Sequence, residues 1–475
     1  MRAVALRAAG AETAGARGPG AVDLAGPWDT DLLARGVARG WAGAVTGGLS
    51  EGEELDVIGT QTVRQQGLIG TRDVEAAVTG LGVVAPGGVG TETWWAAMLE
   101  GRGAIGPVTR FDASGFPVRL AGEVSGFADE EHVPGRLLPQ TDRVTRLALA
   151  AAGEALGAAG LDPARMPDYA VGVVTANAAG GFEFGQRELQ ALWSRGSRHV
   201  GAYQSFAWFY AANSGQISIR HGLRGPSGVV VSEQAGGLDA VAQARRQLRR
   251  GVHAVVTGGA DSTLCPWGWT AHLAAGGMST AEDPERAYLP FDADARGHVV
   301  GEGGALLVLE DGDVARARGA SVLGTVAGCA ATFDPAPGTG APRLRAAAEL
   351  ALADARTTPA EVDVVFADAA GERAADRAEA EALAALFGPY GVPVTAPKSM
   401  TGRLLSGGSA VDLAAALLAL RDQVIPPTLG TVRVADDCPL DLVTGTARPA
   451  RLRTALVLAR GRGGFNAATV VRAAR

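Results

Sequence analysis

From Val74 onward the sequence is built of short apolar runs that end in glycine or a polar turn, and this texture restricts the fold more than any other feature. Ala77-Val78-Thr79-Gly80, Val171-Gly172-Val173-Val174, Val255-Val256-Thr257-Gly258, Ala305 to Leu309, Val362 to Phe366 and Ala455 to Leu458 lack sustained alternation of polar and apolar residues. A strand with one wet face alternates, so runs like these read as strands covered on both sides. Between them lie helical stretches, Thr145 to Ala159, Leu238 to Arg250, Arg377 to Phe387 and Leu413 to Arg421. Strands alternating with helices that cover the sheet predict a layered α/β fold. With 475 residues the chain can bury a large core, in one domain or two intimately packed ones.

Residues 1–72 show no such periodicity and no apolar stretch of the secretory kind. They are expected to stand apart from the fold, as a disordered extension or an upstream-extended start, with at most a short helix around Trp28 to Trp41. Acids outnumber bases, 50 to 43, so there is no basic field to hold nucleic acid or an anionic membrane. The longest uncharged apolar stretch, Leu413 to Leu420, falls well short of the about 20 residues a bilayer span needs. Three scattered cysteines, Cys265, Cys329 and Cys438, offer neither a disulfide framework nor metal-ligand spacing. No metal and no cofactor is expected, and a reducing cytoplasm fits. Arg245, Arg246, Arg249 and Arg250 gather at a helix end, which reads first as a solvated terminus complementing its own dipole and second as a surface for an acidic partner.

Two local features carry more information. Tyr203, Phe206, Trp208, Phe209 and Tyr210 place five aromatics within eight residues, a cluster suited either to a core or to a subunit interface. The run from Gly225 to Ala240 reads as an apolar strand, a tight turn through Ser232-Glu233-Gln234-Ala235-Gly236-Gly237, and a helix. Such an elbow presents one side chain at a helix N-terminus, where a Cys or Ser would be activated as a nucleophile. Here the presented residue is Gln234, whose carboxamide forms no thioester.

The elbow, together with Pro290-Phe291-Asp292, Gly301-Glu302-Gly303-Gly304, Pro397-Lys398-Ser399-Met400-Thr401-Gly402 and Gly463-Gly464-Phe465-Asn466, resembles the β-ketoacyl synthases of the thiolase fold. The elbow turn and the stretch Gly180 to Leu189 are most similar to the chain length factors, the ketosynthase β subunits of aromatic type II polyketide synthases. The resemblance implies two similar βαβαβαββ halves, residues 73–320 and 321–475, in an α-β-α-β-α arrangement. Active members use one Cys and two His. In this sequence Gln234 stands at the Cys position, and Ala370 and Arg403 stand at the two His positions. None of the six histidines falls at a matching place, and they are expected to be surface or local hydrogen-bonding residues. Lys398, the only lysine, is expected to be structural, paired with Glu379. Arg460 and Arg462 replace the aromatics of the usual gating loop, so no phenyl gate is expected.

The implied role is that of a subunit with no catalysis of its own. It pairs with a Cys-bearing ketosynthase α subunit, meets an acyl carrier protein bearing malonyl and polyketide chains, and shapes the tunnel in which the chain grows. By resemblance the gating positions are Phe182, Gly185 and Leu189 on one helix face, and the small Gly185 and Leu189 predict a long, decaketide-like product; plain core packing is the alternative for these three. Gln234 is expected to fill the vacated nucleophile pocket and satisfy helix N-terminal donors. Rival readings are a Gln-type malonyl carrier protein decarboxylase for priming, a stand-alone ketosynthase or thiolase using Cys265, and a scaffold without tunnel function.

Overall fold

The computed structural model describes residues 72–336 and 339–474, so the expected extension, with its helix near Trp28 to Trp41, lies outside the described residues but for Arg72. The first half runs β1 (Ala76–Ala85), α1 (Arg143–Ala159), β2 (Val171–Ala176), α2 (Phe182–Arg195), α3 (Ala212–His221), β3 (Ser227–Val230), α4 (Gly236–Arg249), β4 (Ala254–Asp261), α5 (Pro266–Ala275) and β5 (Gly303–Asp311). The second runs β6 (Gly324–Phe333), α6 (Leu344–Asp354), β7 (Val364–Phe366), α7 (Arg373–Phe387), β8 (Pro393–Thr395), α8 (Ser406–Asp422), β9 (Asp441–Leu442), β10 (Thr454–Gly461) and β11 (Phe465–Ala473).

The strands hydrogen-bond in the order β9-β8-β7-β10-β11-β6-β1-β5-β4-β2-β3, with a short strand at Gly88–Val89 added to β1. The two halves meet at a narrow seam, where β1 pairs with β6 only through Ala77 with Thr325 and Val78 with Gly324. Helices α4 and α8 lie between the two half-sheets, α1 and α3 cover one outer face, and α6 and α7 cover the other. This is the α-β-α-β-α layering of the thiolase fold. Residues of β1, β4 and β5 are buried on both faces, which is why their sequences do not alternate. Helix α8 is buried on every side from Ser406 to Leu420, as a helix between two sheets must be, and apart from Ser406, Ser409 and Asp412 it is built there of apolar residues and glycine. Close contact needs glycine in β1: a Cβ on Gly82 would sit 2.0 Å from the Ala151 carbonyl of α1.

Among the described residues β3 pairs with β2 alone, which leaves its other edge open. No helix among the described residues is long and apolar enough to cross a membrane. The expected basic helix end is partly an interior feature: Arg245 is buried, its guanidinium on Asp354 and on the Ala327 carbonyl.

Candidate functional site

The elbow forms where it was expected. Strand β3 leads through Ser232 and Glu233, the latter at φ +51°, into a single 3-10 turn, Glu233–Ala235, and then into α4. Gly236 and Gly237 let this turn sit against the first turn of α8, since a Cβ on either would lie 2.6 Å from Ser406 Oγ or the Ala410 nitrogen. The Gln234 side chain points inward, 0% exposed, against Gly408, whose added Cβ would be 2.3 Å from Gln234 Nε2. It fills space, but the expected satisfaction of helix donors does not occur: neither amide atom has a hydrogen-bond partner among the described residues.

Ala370 and Arg403 line a cavity of about 260 Å³ beside the elbow, together with Glu233, Arg460 and Arg462. Arg403 donates to both Asp368 carboxylate oxygens, at 3.0 and 3.3 Å, and to the Asp368 and Arg460 carbonyls. Burial works to raise the Asp368 carboxyl, but Arg403, Lys398 and Arg460 outweigh it and hold it below the usual range. Arg403 is thus locked in place by Asp368. Arg462 reaches over the cavity, its guanidinium donating to the Ala275 and Gly276 carbonyls at the end of α5 and its N–H to Glu233 Oε2 at 3.1 Å.

One expectation is corrected here. Lys398 pairs with Asp412 at 2.7 Å, not with Glu379. Lys398 donates to the Ala367 and Asp368 carbonyls, at 2.7 and 2.9 Å, whereas Glu379 accepts from the Asp368 and Ala369 N–H groups, both at 2.8 Å. Lysine and glutamate therefore grip opposite polarities of one peptide segment and have no reason to meet. Burial, with the Asp368 charge beside it, pushes the Glu379 carboxyl up to about 7. His272 makes the expected local hydrogen bond, with Thr263 Oγ1 at 2.8 Å from its Nε2, and both it and His298 line the same cavity as Arg403. Burial, then Arg462, pushes His272 down to about 4, and burial with Arg403 and Arg462 holds His298 well below the usual imidazole range. Both are neutral at pH 7. No sequence spacing marked either residue.

Phe182, Gly185 and Leu189 lie on α2, and one residue that sequence reasoning passed over joins them. Trp267, at the start of α5, stacks on the Phe182 ring with centroids 4.6 Å apart. A Cβ on Gly185 would lie 3.1 Å from Trp267 Cζ3, and Leu189 shares an open groove with Trp267 and Trp193. The Trp267 N–H donates to Gln186 Oε1 at 2.6 Å, fastening α5 to α2. Next to this groove, Tyr203, Trp208, Phe209 and Tyr210 are exposed and Phe206 half-buried, so the aromatic cluster is a surface and not a core.

Two buried carboxylates that sequence reasoning also missed hold the approach to α2. Asp142 caps α1 by accepting from Val144 N–H at 2.9 Å and also accepts from Phe184 N–H of α2 at 2.7 Å. Asp261 accepts from the Ala178 and Ala179 N–H groups and from Ser406 N–H of α8 at 2.9 Å. Burial pushes Asp142 up to about 6 and Asp261 up to about 7. An Asp just ahead of a helical stretch was the readable signal for the first; the second had none.

Cys265 is buried as the cap of α5, and burial pushes its thiol up to about 11, which disfavours the thiolate a nucleophile needs. All three cysteines are free, and no group of three or more His, Cys, Asp or Glu among the described residues is arranged to hold a metal.

Family models match two stretches, residues 74–315 to the β-ketoacyl synthase N-terminal domain and residues 323–431 to its C-terminal domain. The tetracenomycin polyketide synthase ketoacyl synthase beta subunit of Streptomyces glaucescens is 60% identical over 398 residues, 83% of this chain and 97% of that protein. The actinorhodin polyketide putative beta-ketoacyl synthase 2 of Streptomyces coelicolor is 58% identical over 397 residues, 83% of this chain and 98% of that protein. Among solved structures, the ishigamide ketosynthase/chain length factor superposes with a TM-score of 0.77 at 30% identity, covering 85% of this chain and all of that one. A type II polyketide synthase ketosynthase in complex with its acyl-carrier protein gives 0.77 at 26% identity, with the same coverage.

Proposed function

Because the chain belongs to the β-ketoacyl synthase family, in its ketosynthase β or chain length factor branch, we propose that it works without catalysis of its own, as the tunnel-shaping half of a heterodimer. Its partner is a ketosynthase α subunit carrying the Cys and His residues. The observation that carries this reading is the state of the vacated site: a buried amide at the nucleophile position, an alanine, and an arginine fixed on Asp368. Removing three cooperating groups removes both acyl transfer and enolate stabilisation.

The partner surface is the face that carries open strand β3 and the exposed aromatics Tyr203, Trp208, Phe209 and Tyr210, with Phe206 beside them. Unpaired strand edges and large aromatic anchors are what a stable interface uses. A Cβ on Gly185 would lie 3.7 Å from Trp208 Cβ, so a partner seated on the aromatics closes the groove at Leu189 and Trp267 into the far end of a tunnel. A chain growing toward that end stops when its next unit overlaps side-chain atoms, which costs about 1–3 kcal/mol per group. With glycine at position 185 and leucine at 189, the tunnel is long and decaketide-like, and the carrier protein delivers malonyl units to the α subunit in the cytoplasm. In the heterodimer reconstituted with carrier protein and malonyl supply, Gly185→Thr with Leu189→Phe should shorten the product. Unchanged lengths would refute the gate.

His272 and His298 give the priming decarboxylase reading an imidazole pair, but Gln234 is not among the residues lining their cavity. Carbon dioxide release from malonyl carrier protein by the purified subunit alone would revive that reading.

A further inference from the structure

Helix α2 is poorly anchored by its own burial. Of its fourteen residues only Phe184, Gly185 and Ala191 are buried, and its N-cap position is Gly181, which has no side chain to accept from the first free N–H groups. Those groups must find acceptors elsewhere or remain unpaired. Among them Phe184 N–H finds a side chain, that of Asp142, and the segment leading in from β2 is itself held by further side chains. Asn177 Oδ1 accepts from Gly180 N–H at 2.6 Å, Asp261 takes Ala178 and Ala179, and Asp142 takes Phe184. Gly181 makes the last contact possible, because a Cβ there would lie 2.9 Å from Asp142 Cβ. A carboxylate is also the acceptor that best complements the positive end of a helix dipole.

We infer that Asp142 and Asp261 are the positioning residues of the gate: they fix where α2 stands, and through it how far Phe182, Gly185 and Leu189 project toward a growing chain. Asp142 ties α2 to α1, and Asp261 ties its approach to α8, so both anchors belong to layers of the core and neither touches substrate. The inference rests on the proposed role of α2 as the gate. Chain length then depends on two residues that lie behind the gate, as well as on the size of the side chains in it.

Asp142→Ser separates the two bonds, because a serine hydroxyl still caps α1 at Val144 but is too short to reach Phe184. In the reconstituted heterodimer, the expected result is unchanged co-elution with the α subunit and a rise on the order of tenfold in the ratio of off-length to principal polyketide, read by mass spectrometry. Asp142→Asn, which keeps one acceptor, should fall between this variant and the parent. A merely structural role would lower the yield and leave the ratio alone, and that result overturns the inference. Gly185→Thr is the control: if it shifts length and Asp142→Ser does not, the positioning role fails and the gate stands. If neither shifts length, the gate itself falls and the inference with it. Should Asp142→Ser not assemble, Asp261→Asn is read the same way, and unchanged product lengths in that variant overturn the inference.

Discussion

Replacing Lys398 with methionine tests the chemistry that holds the segment from Ala367 to Ala369 beside Arg403. Lys398 and Asp412 are both about 2% exposed and 2.7 Å apart, and the ammonium also serves the Ala367 and Asp368 carbonyls. Methionine matches the stem but leaves Asp412 buried without a counter-ion. Burial already raises the Asp412 carboxyl while Lys398 opposes the shift, so loss of the lysine drives it up further. The carboxyl then escapes by taking a proton. Protonating a group of ordinary pKa near 3.8 at pH 7 costs about 4 kcal/mol, in line with the about 3–5 kcal/mol typical of a broken buried pair. For a chain of this size that is a fall of about 5 °C in melting temperature. The sign with pH follows: a carboxyl whose folded pKa is raised destabilises the fold above its unfolded pKa, and the penalty shrinks by about 1.4 kcal/mol per unit as pH falls toward 4. Urea unfolding of parent and variant at pH 7 and pH 5 reads this directly. A loss below about 1 kcal/mol, or one that does not depend on pH, would refute the reasoning.

Gln234→Leu exchanges an unpartnered buried amide for an apolar side chain, and should leave stability unchanged or raise it by about 1 kcal/mol in urea unfolding; a loss above about 2 kcal/mol would mean that the amide has a partner. Trp267→Ala removes the ring that Phe182 stacks on and Gly185 backs, and should lengthen or broaden the product distribution of an intact heterodimer, with unchanged lengths counting against Trp267 as the tunnel floor. Native Cys265 should react with iodoacetamide at pH 7 about 100-fold more slowly than an ordinary thiol, because its thiolate is scarcer by that factor; ready alkylation of the folded chain would overturn the buried assignment.

What could be read from the sequence follows the range of the interactions involved. The strands β1, β2, β4, β5, β7 and β10 were legible because burial on both faces writes itself into each run, and the elbow because strand, turn and helix are contiguous, whereas β6, whose burial alternates, and β11 were not singled out. Helix α8 begins at Ser406, upstream of the expected Leu413, since Ser406-Gly407-Gly408-Ser409 has neither propensity nor periodicity. There the helix is shaped by close approach: a Cβ on Gly407 would lie 2.1 Å from the Gly303 carbonyl. The partner of Lys398 was not legible, because Glu379, Asp368 and Asp412 all converge near it and only the backbone between them decides which is free to pair. Trp267 and Asp261 reach α2 from distant parts of the chain, and nothing local announces such a meeting.

The open edge at β3 also governs how this polypeptide must be produced. A strand with unspent donors and acceptors, beside a skirt of bare tryptophan and tyrosine, will accept any passing edge of suitable shape. With a ketosynthase α subunit as the companion proposed for this face, synthesis in step with it covers the edge early, and copies made in excess leave it bare.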